Sequence, residues 1–203
     1  TKHITDATDL AGLPDHVLEA AKQAAESEQL EGWVLTLDFP VYYAVMLQAD
    51  NRQLREEFYT AYATRASDQG PKAGEWDNSD LIDQILTLRL ELAKLLGFTN
   101  YAEYSLATKM AQSTDQVVSF LEDLSAKSRP QAAQELDELK AFAQAEEGMS
   151  DLQAWDITYY AEKLKQQRFN ISQQELRPYF PLPKVLDGLF QVTERLFGVS
   201  VTE

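Results

Sequence analysis

The 203-residue sequence predicts a mainly α protein, multi-helical, with two or three very short strands. Three observations predict it. Apolar residues recur at three- and four-residue spacing through most of the chain, and Ser, Asp or Asn stands where such runs begin. Only 8 Gly and 7 Pro are available to build turns. The spacing is that of an amphipathic helix, and the small polar residues supply acceptors for the unpaired N–H groups of a first helical turn. So few turn formers do not suit a β protein of many short strands.

Taken in order, Pro14 suits a first helical position, where its missing N–H costs nothing, and a helix is expected over Asp15–Ala25. Gly32–Leu37 is a short run of strand character. Asp38 can cap a helix over Pro40–Ala49, and Asp50 or Asn51 another over Arg52–Arg65, where Leu54, Phe58, Ala61 and Tyr62 share a face. Ser67–Gly74 reads as an exposed loop. A long helix capped by Asn78 or Ser79 follows. One of its stripes holds Leu81, Ile85, Leu88, Leu92 and Leu96, a second Ile82, Leu86, Leu90 and Ala93. Apolar coverage that wide predicts burial against two neighbours. Gly97 stops the helix.

Asn100 with Glu103 has capping-box spacing for a short helix through Leu106, and Ser113 with Gln116 opens a stretch running to Gly148. Pro130 inside that stretch predicts a kink or two abutting helices. A helix over Asp156–Phe169, a Ser172–Glu175 capping box before a short helix to Arg177, and a last helix over Val185–Phe197 complete the set. Val199–Val201 reads as the start of a strand.

Charge narrows the partners. With 18 basic and 33 acidic residues the net charge is −15, a field that repels nucleic-acid phosphates and anionic membrane faces, so no nucleic acid and no membrane partner is expected. No apolar run approaches the roughly 20 residues needed to span a bilayer. The absence of Cys excludes from these residues a disulfide scaffold, a Cys-ligated zinc and a thiol nucleophile, and suits a cytoplasmic protein. The sequence opens Thr1-Lys2-His3 without Met, which suggests a piece cut from a longer chain.

Few side chains offer chemistry. The two histidines, His3 and His16, cannot make an H-E-x-x-H helix; His16 and Glu19 share a helix face, but a catalytic zinc takes three protein ligands. There is no G-x-S-x-G elbow, and Gly70–Gly74 lacks the spacing of a phosphate loop. Neighbouring carboxylates such as Glu56-Glu57 and Glu146-Glu147 diverge by about 100° on a helix and read as solvated faces. Aromatic residues are more suggestive. Tyr159 and Tyr160 diverge similarly, which lets one enter a core while the other faces a cleft, and Arg177-Pro178-Tyr179-Phe180-Pro181 makes a rigid aromatic corner. Core packing is the first reading of these groups; Tyr159, Tyr160 and Tyr179 are the candidates for contact with a ligand.

Several runs together carry a resemblance: Arg65–Gly70, Leu92–Tyr104, Leu106–Ala111, Trp155-Asp156 with Tyr159-Tyr160, Leu176–Pro181, Gly188–Phe190 and Leu196–Gly198. In this order and spacing the chain closely resembles the central part of the thimet-oligopeptidase-like zinc metallopeptidases. The resemblance implies a helical, two-lobed peptidase whose deep channel admits short unstructured peptides and excludes folded proteins. In that family an H-E-x-x-H helix and a Glu on a following helix bind zinc, and the Glu of the motif is the general base. None of those residues has a counterpart here, so no catalytic, cofactor-binding or metal residue is carried over.

The expectation is therefore that residues 1–203 form one helical body, a central segment of a longer peptidase. It would supply scaffold and channel wall, be inactive alone, and bind no zinc itself, the zinc belonging to the parent protein. Short peptides and the remaining lobe of the same polypeptide are its expected partners, with self-association of the isolated piece through exposed apolar surface. The competing expectation is a free-standing acidic helical interaction module without catalysis.

Overall fold

The computed structural model describes residues 1–170 and 176–201. Two short strands, β1 (Lys2–Ile4) and β2 (Trp33–Leu35), pair antiparallel, with His3 opposite Val34. Eight α-helices follow the chain among the described residues: α1 (Asp15–Ser27), α2 (Phe39–Gln48), α3 (Arg52–Ala63), α4 (Ser79–Leu95), α5 (Tyr101–Leu106), α6 (Thr114–Glu147), α7 (Ala154–Phe169) and α8 (Leu182–Phe197). Single 3-10 turns lie at Ala7–Leu10 and Arg177–Tyr179. The protein is mainly α, as its sequence predicts. It divides into two compact units, Thr1–Ala161 and Glu162–Glu203.

The core of the first unit is built by β1, β2 and α1–α3. Ile4, Leu10, Val17, Leu35, Val45, Leu54 and Phe58 are buried in one cluster. The two strands carry too few residues to stand alone; α1 packs across β2 and supplies the missing face. A tight approach joins the link between α2 and α3 to the loop before α1: the Asp50 N–H donates to the Ala11 carbonyl at 2.9 Å. Gly12 sits beside it at φ +86°, where a Cβ would run into the Gln48 carbonyl oxygen, so only glycine fits.

Capping follows the sequence closely. Asn51 accepts from the Leu54 N–H at 3.1 Å, Asn100 from the Glu103 N–H at 3.0 Å, and Ser113 from the Gln116 N–H at 3.1 Å. At α4 the cap shifts outward by one: Asp77 takes the N–H and hydroxyl of Ser79. α1 begins at Asp15, as expected, with Pro14 at its N-cap instead of its first helical position. α6 runs as one 34-residue helix through Pro130. The Ser172–Glu175 capping box lies outside the described residues.

Two expectations fail. Val199–Val201 forms no strand, since no described segment offers it a ladder of partners. The stripes of α4 are also not covered. Apart from Ala93 every residue of both stripes is exposed, Leu88 at 63%. Helical periodicity identifies which residues need a neighbour; it does not put that neighbour in the same chain.

The second unit begins within α7. Glu162, nearly buried, pairs with Lys165 and accepts from Gln166 at 3.2 Å. The 3-10 turn at Arg177–Tyr179 then leads into α8, whose Pro183 falls in the first turn, where it displaces no backbone hydrogen bond.

Candidate functional site

Two features of the first unit bring polar groups together: a buried clamp joining α3 to α7, and a groove along the other side of α3.

The clamp starts from an oddity of α3. Arg55 lies between Leu54 and Phe58 on its buried face and is itself 1% exposed. A buried guanidinium requires acceptors for its donors. Nη1 donates to the Ala49 and Asp50 carbonyls at 2.7 and 3.3 Å, Nε to the Trp155 carbonyl at 3.3 Å, and Nη2 to Asp156 Oδ1 at 3.0 Å. Asp156 is fully buried in the first turn of α7. Arg52, one turn before Arg55, reaches it with Nε at 3.0 Å and Nη2 at 2.7 Å, and the Gln153 N–H adds a bond at 3.0 Å. Burial opposes the ionisation of Asp156, but the hydrogen bonds from Arg52, the Gln153 N–H and Arg55 outweigh it, and the carboxyl stays below its usual range. The same contact raises Arg52 further above its already high value.

Tyrosines close the clamp. The Arg55 guanidinium lies 3.9 Å from the centre of the Tyr159 ring, and the Tyr159 hydroxyl donates to Asp50 at 2.7 Å. Tyr160 meets Tyr159 edge-on at 5.2 Å and donates its hydroxyl to Glu147 at 2.7 Å. Burial and then the hydrogen bond to Glu147 push the Tyr160 phenol up to about 12. Both rings are buried, at 3% and 0% exposure, whereas Tyr179 in the second unit is 72% exposed. The structure thus brings Tyr159 and Tyr160 together in one polar core and leaves Tyr179 open to solvent.

The groove has a volume of about 1210 Å³. Its wall is α3, from Arg52 to Thr64; its floor takes in Leu35, Leu37 and Phe58; its far lip is the loop carrying Pro71, Lys72 and Trp76. That loop is exposed, as expected, but shaped: the Gly74 N–H returns to the Ser67 carbonyl and the Asn78 N–H to the Ala66 carbonyl. Arg65 stands at the end of α3 with its guanidinium 4.9 Å from the centre of the Tyr62 ring, which stacks on Tyr42 at 3.9 Å. A mostly apolar concavity with a few charged groups suits an amphipathic ligand such as an extended peptide.

Sequence reasoning singles out Tyr159 and Tyr160 for contact with a ligand, not for the buried clamp that they join, and misses Arg52, Arg55, Asp50 and the groove. A signal existed. An arginine on the apolar face of α3 demands a buried acceptor, although nothing in the sequence singles out Asp156 among 33 acidic residues. The groove had no such signal, because its two walls are joined only by the fold.

Neither feature offers a metal site. Among the described residues no three His, Asp or Glu side chains stand close enough to share an ion. Asp156 is held by two arginines, and His3 Nε2 lies 2.6 Å from the Glu31 carbonyl.

Residues 45–203 match peptidase family M3. Oligopeptidase A of Escherichia coli (strain K12) is 56% identical over 203 residues, covering 100% of this chain and 30% of that protein. The organellar oligopeptidase A of Arabidopsis thaliana is 45% identical over 209 residues, 98% of this chain and 26% of its own length. The dipeptidyl carboxypeptidase of Salmonella typhimurium is 32% identical over 202 residues, 98% of this chain and 29% of its own. The chain therefore spans less than a third of each of these relatives.

Proposed function

The chain belongs to peptidase family M3, and on that premise we propose that it is a segment of a zinc-dependent oligopeptidase that hydrolyses short peptides in a deep channel. The observation that carries this reading is the 56% identity to oligopeptidase A over all 203 residues of the chain. In this reading residues 1–203 belong to one helical body of the parent and supply scaffold and channel wall. In the same reading the zinc is held elsewhere in the parent, by an H-E-x-x-H helix that these 203 residues do not contain. The remaining polypeptide is the partner of the bare α4 faces.

The three tyrosines take different parts. Tyr179, solvent-facing beside Phe180, meets peptide directly. Tyr159 and Tyr160 act from behind the wall, fixing α7 through Asp50 and Glu147. The compartment is the cytoplasm, a reading supported by 203 residues without a cysteine.

Hydrolysis by the intact gene product tests the reading. A quenched short peptide should be cleaved, cleavage should stop with a zinc chelator and return with zinc, and the 203-residue chain alone should be inert. Cleavage by the isolated chain in the presence of chelator overturns it, and so does an intact product with no peptidase activity.

A further inference from the structure

We propose that the groove along α3 is a subsite for a carboxylate of the bound peptide, with the Arg65 guanidinium as its anchor. The inference rests on the peptidase reading and adds to it a chemical preference.

Sign of charge is the first argument. The chain as a whole carries −15, yet the groove is lined by Lys2, Arg52, Arg65 and Lys72 against only Glu56 and Glu57. Carboxylates of Glu57, Asp156 and Glu75 neutralise three of these cations, so any attraction for an anion falls to the fourth, Arg65. Size is the second. About 1210 Å³ exceeds the ~300–1,000 Å³ of ordinary small-molecule pockets and has room for several peptide residues.

Pairing then sets one cation apart. Lys2 is paired with Glu57, Arg52 with Asp156 and Lys72 with Glu75. Arg65 rests on the Tyr62 ring, and among the described residues no carboxylate pairs with it. Stacking on a ring that is itself stacked on Tyr42 orients the guanidinium and leaves its edge to donate. That edge matches a carboxylate with two parallel hydrogen bonds. Trp76, 65% exposed on the opposite lip, supplies a flat apolar surface for the rest of the peptide. The carboxylate is either the peptide's C-terminus or an acidic side chain, and the experiment separates them.

Calorimetry on the intact gene product would use an N-methylated, uncleavable peptide with one Asp, in three forms: free acid, C-terminal amide, and Asp replaced by Asn. One of the two neutralised forms should bind about tenfold more weakly than the parent peptide, identifying the carboxylate recognised. Arg65→Ala should weaken the parent peptide by about the same factor and abolish the discrimination. Arg65→Lys, which keeps charge but not the fork, should retain part of it. Arg65 is exposed, so the melting temperature should stay within about 2 °C. Trp76→Ala should weaken all three forms alike. Equal binding of the three forms by the wild type, an unchanged affinity in Arg65→Ala, or no effect of Trp76→Ala overturns the proposal. Hydrolysis is scored in parallel: discrimination without cleavage retires the peptidase reading alone, and cleavage with no role for Arg65 retires the subsite alone.

Discussion

Asp156 is the residue on which the first unit depends most heavily for its polar core. It receives donors from two arginines and a backbone N–H while wholly inside the protein. Replacing it with Asn removes the charge that balances a buried guanidinium, and such an uncompensated charge costs about 3–5 kcal/mol. Chemical denaturation of Asp156→Asn should show that loss, while a paired apolar replacement of Asp156 and Arg55 should cost less. The pH dependence has a definite sign. Because the folded-state pKa lies below the unfolded value near 3.9, the unfolded chain binds the proton more readily. The contribution of Asp156 is then complete above about pH 4–5 and is lost as pH falls toward its folded value; Asp156→Asn should lack that part of the acid slope. Tyr160 behaves oppositely. Its phenol is raised to about 12, so stability is intact below about pH 10 and declines as pH rises from there toward 12. Absorbance titration near 295 nm should find a late-ionising tyrosine that Tyr160→Phe removes. At this scale the sequence was half legible. The tyrosines stand out by their spacing, but which ring faces what depends on Arg55 and Glu147, which lie 104 and 13 residues from the tyrosines they meet.

Elements were read more fully, because what starts and stops a helix is local. Asn51, Asn100, Ser113, Gly97 and Gly148 stand where capping chemistry puts them. The starts of α1 and α4 fall where expected; what differs is the capping group, Asp77 taking the Ser79 N–H at α4 and Pro14 holding the N-cap of α1. Asn51 has a double role that its sequence position conceals. Its oxygen caps α3 through the Leu54 N–H, and its amide donates to Asp9 at 2.8 Å, tying the helix start to the 3-10 turn. Asn51→Ala loses both, and should lower stability by about 1–2 kcal/mol; Asn51→Asp keeps the cap but repels Asp9 and should fall between. Phe58→Ala empties the core where α3 meets the strands and should cost about 3–5 kcal/mol, enough to separate a packing role from a capping one in the same denaturation series.

For the whole molecule, the informative surface is the one the chain leaves bare. A helix apolar on two faces belongs in an interior, and α4 has both faces exposed except at Ala93; Leu95, beyond either stripe, is 84% exposed. α6 adds Val118, Phe120, Leu121 and Leu124 within two turns. Monomeric proteins seldom leave such continuous apolar area in water. The relatives are more than three times as long as this chain, and in the proposed function the additional polypeptide covers that area. Two measurements check this. The isolated 203 residues should bind an apolar dye and run above monomer mass in light scattering, with association weakened by Leu88→Glu and Leu92→Glu on α4. In the intact gene product the same surface is occupied, so the dye should not bind, and Leu88→Glu should destabilise the fold by burying an unpaired charge instead of improving solubility. A monodisperse, dye-silent isolated chain would mean that α4 tolerates water. An intact protein indifferent to Leu88→Glu would mean that the remaining polypeptide lies elsewhere.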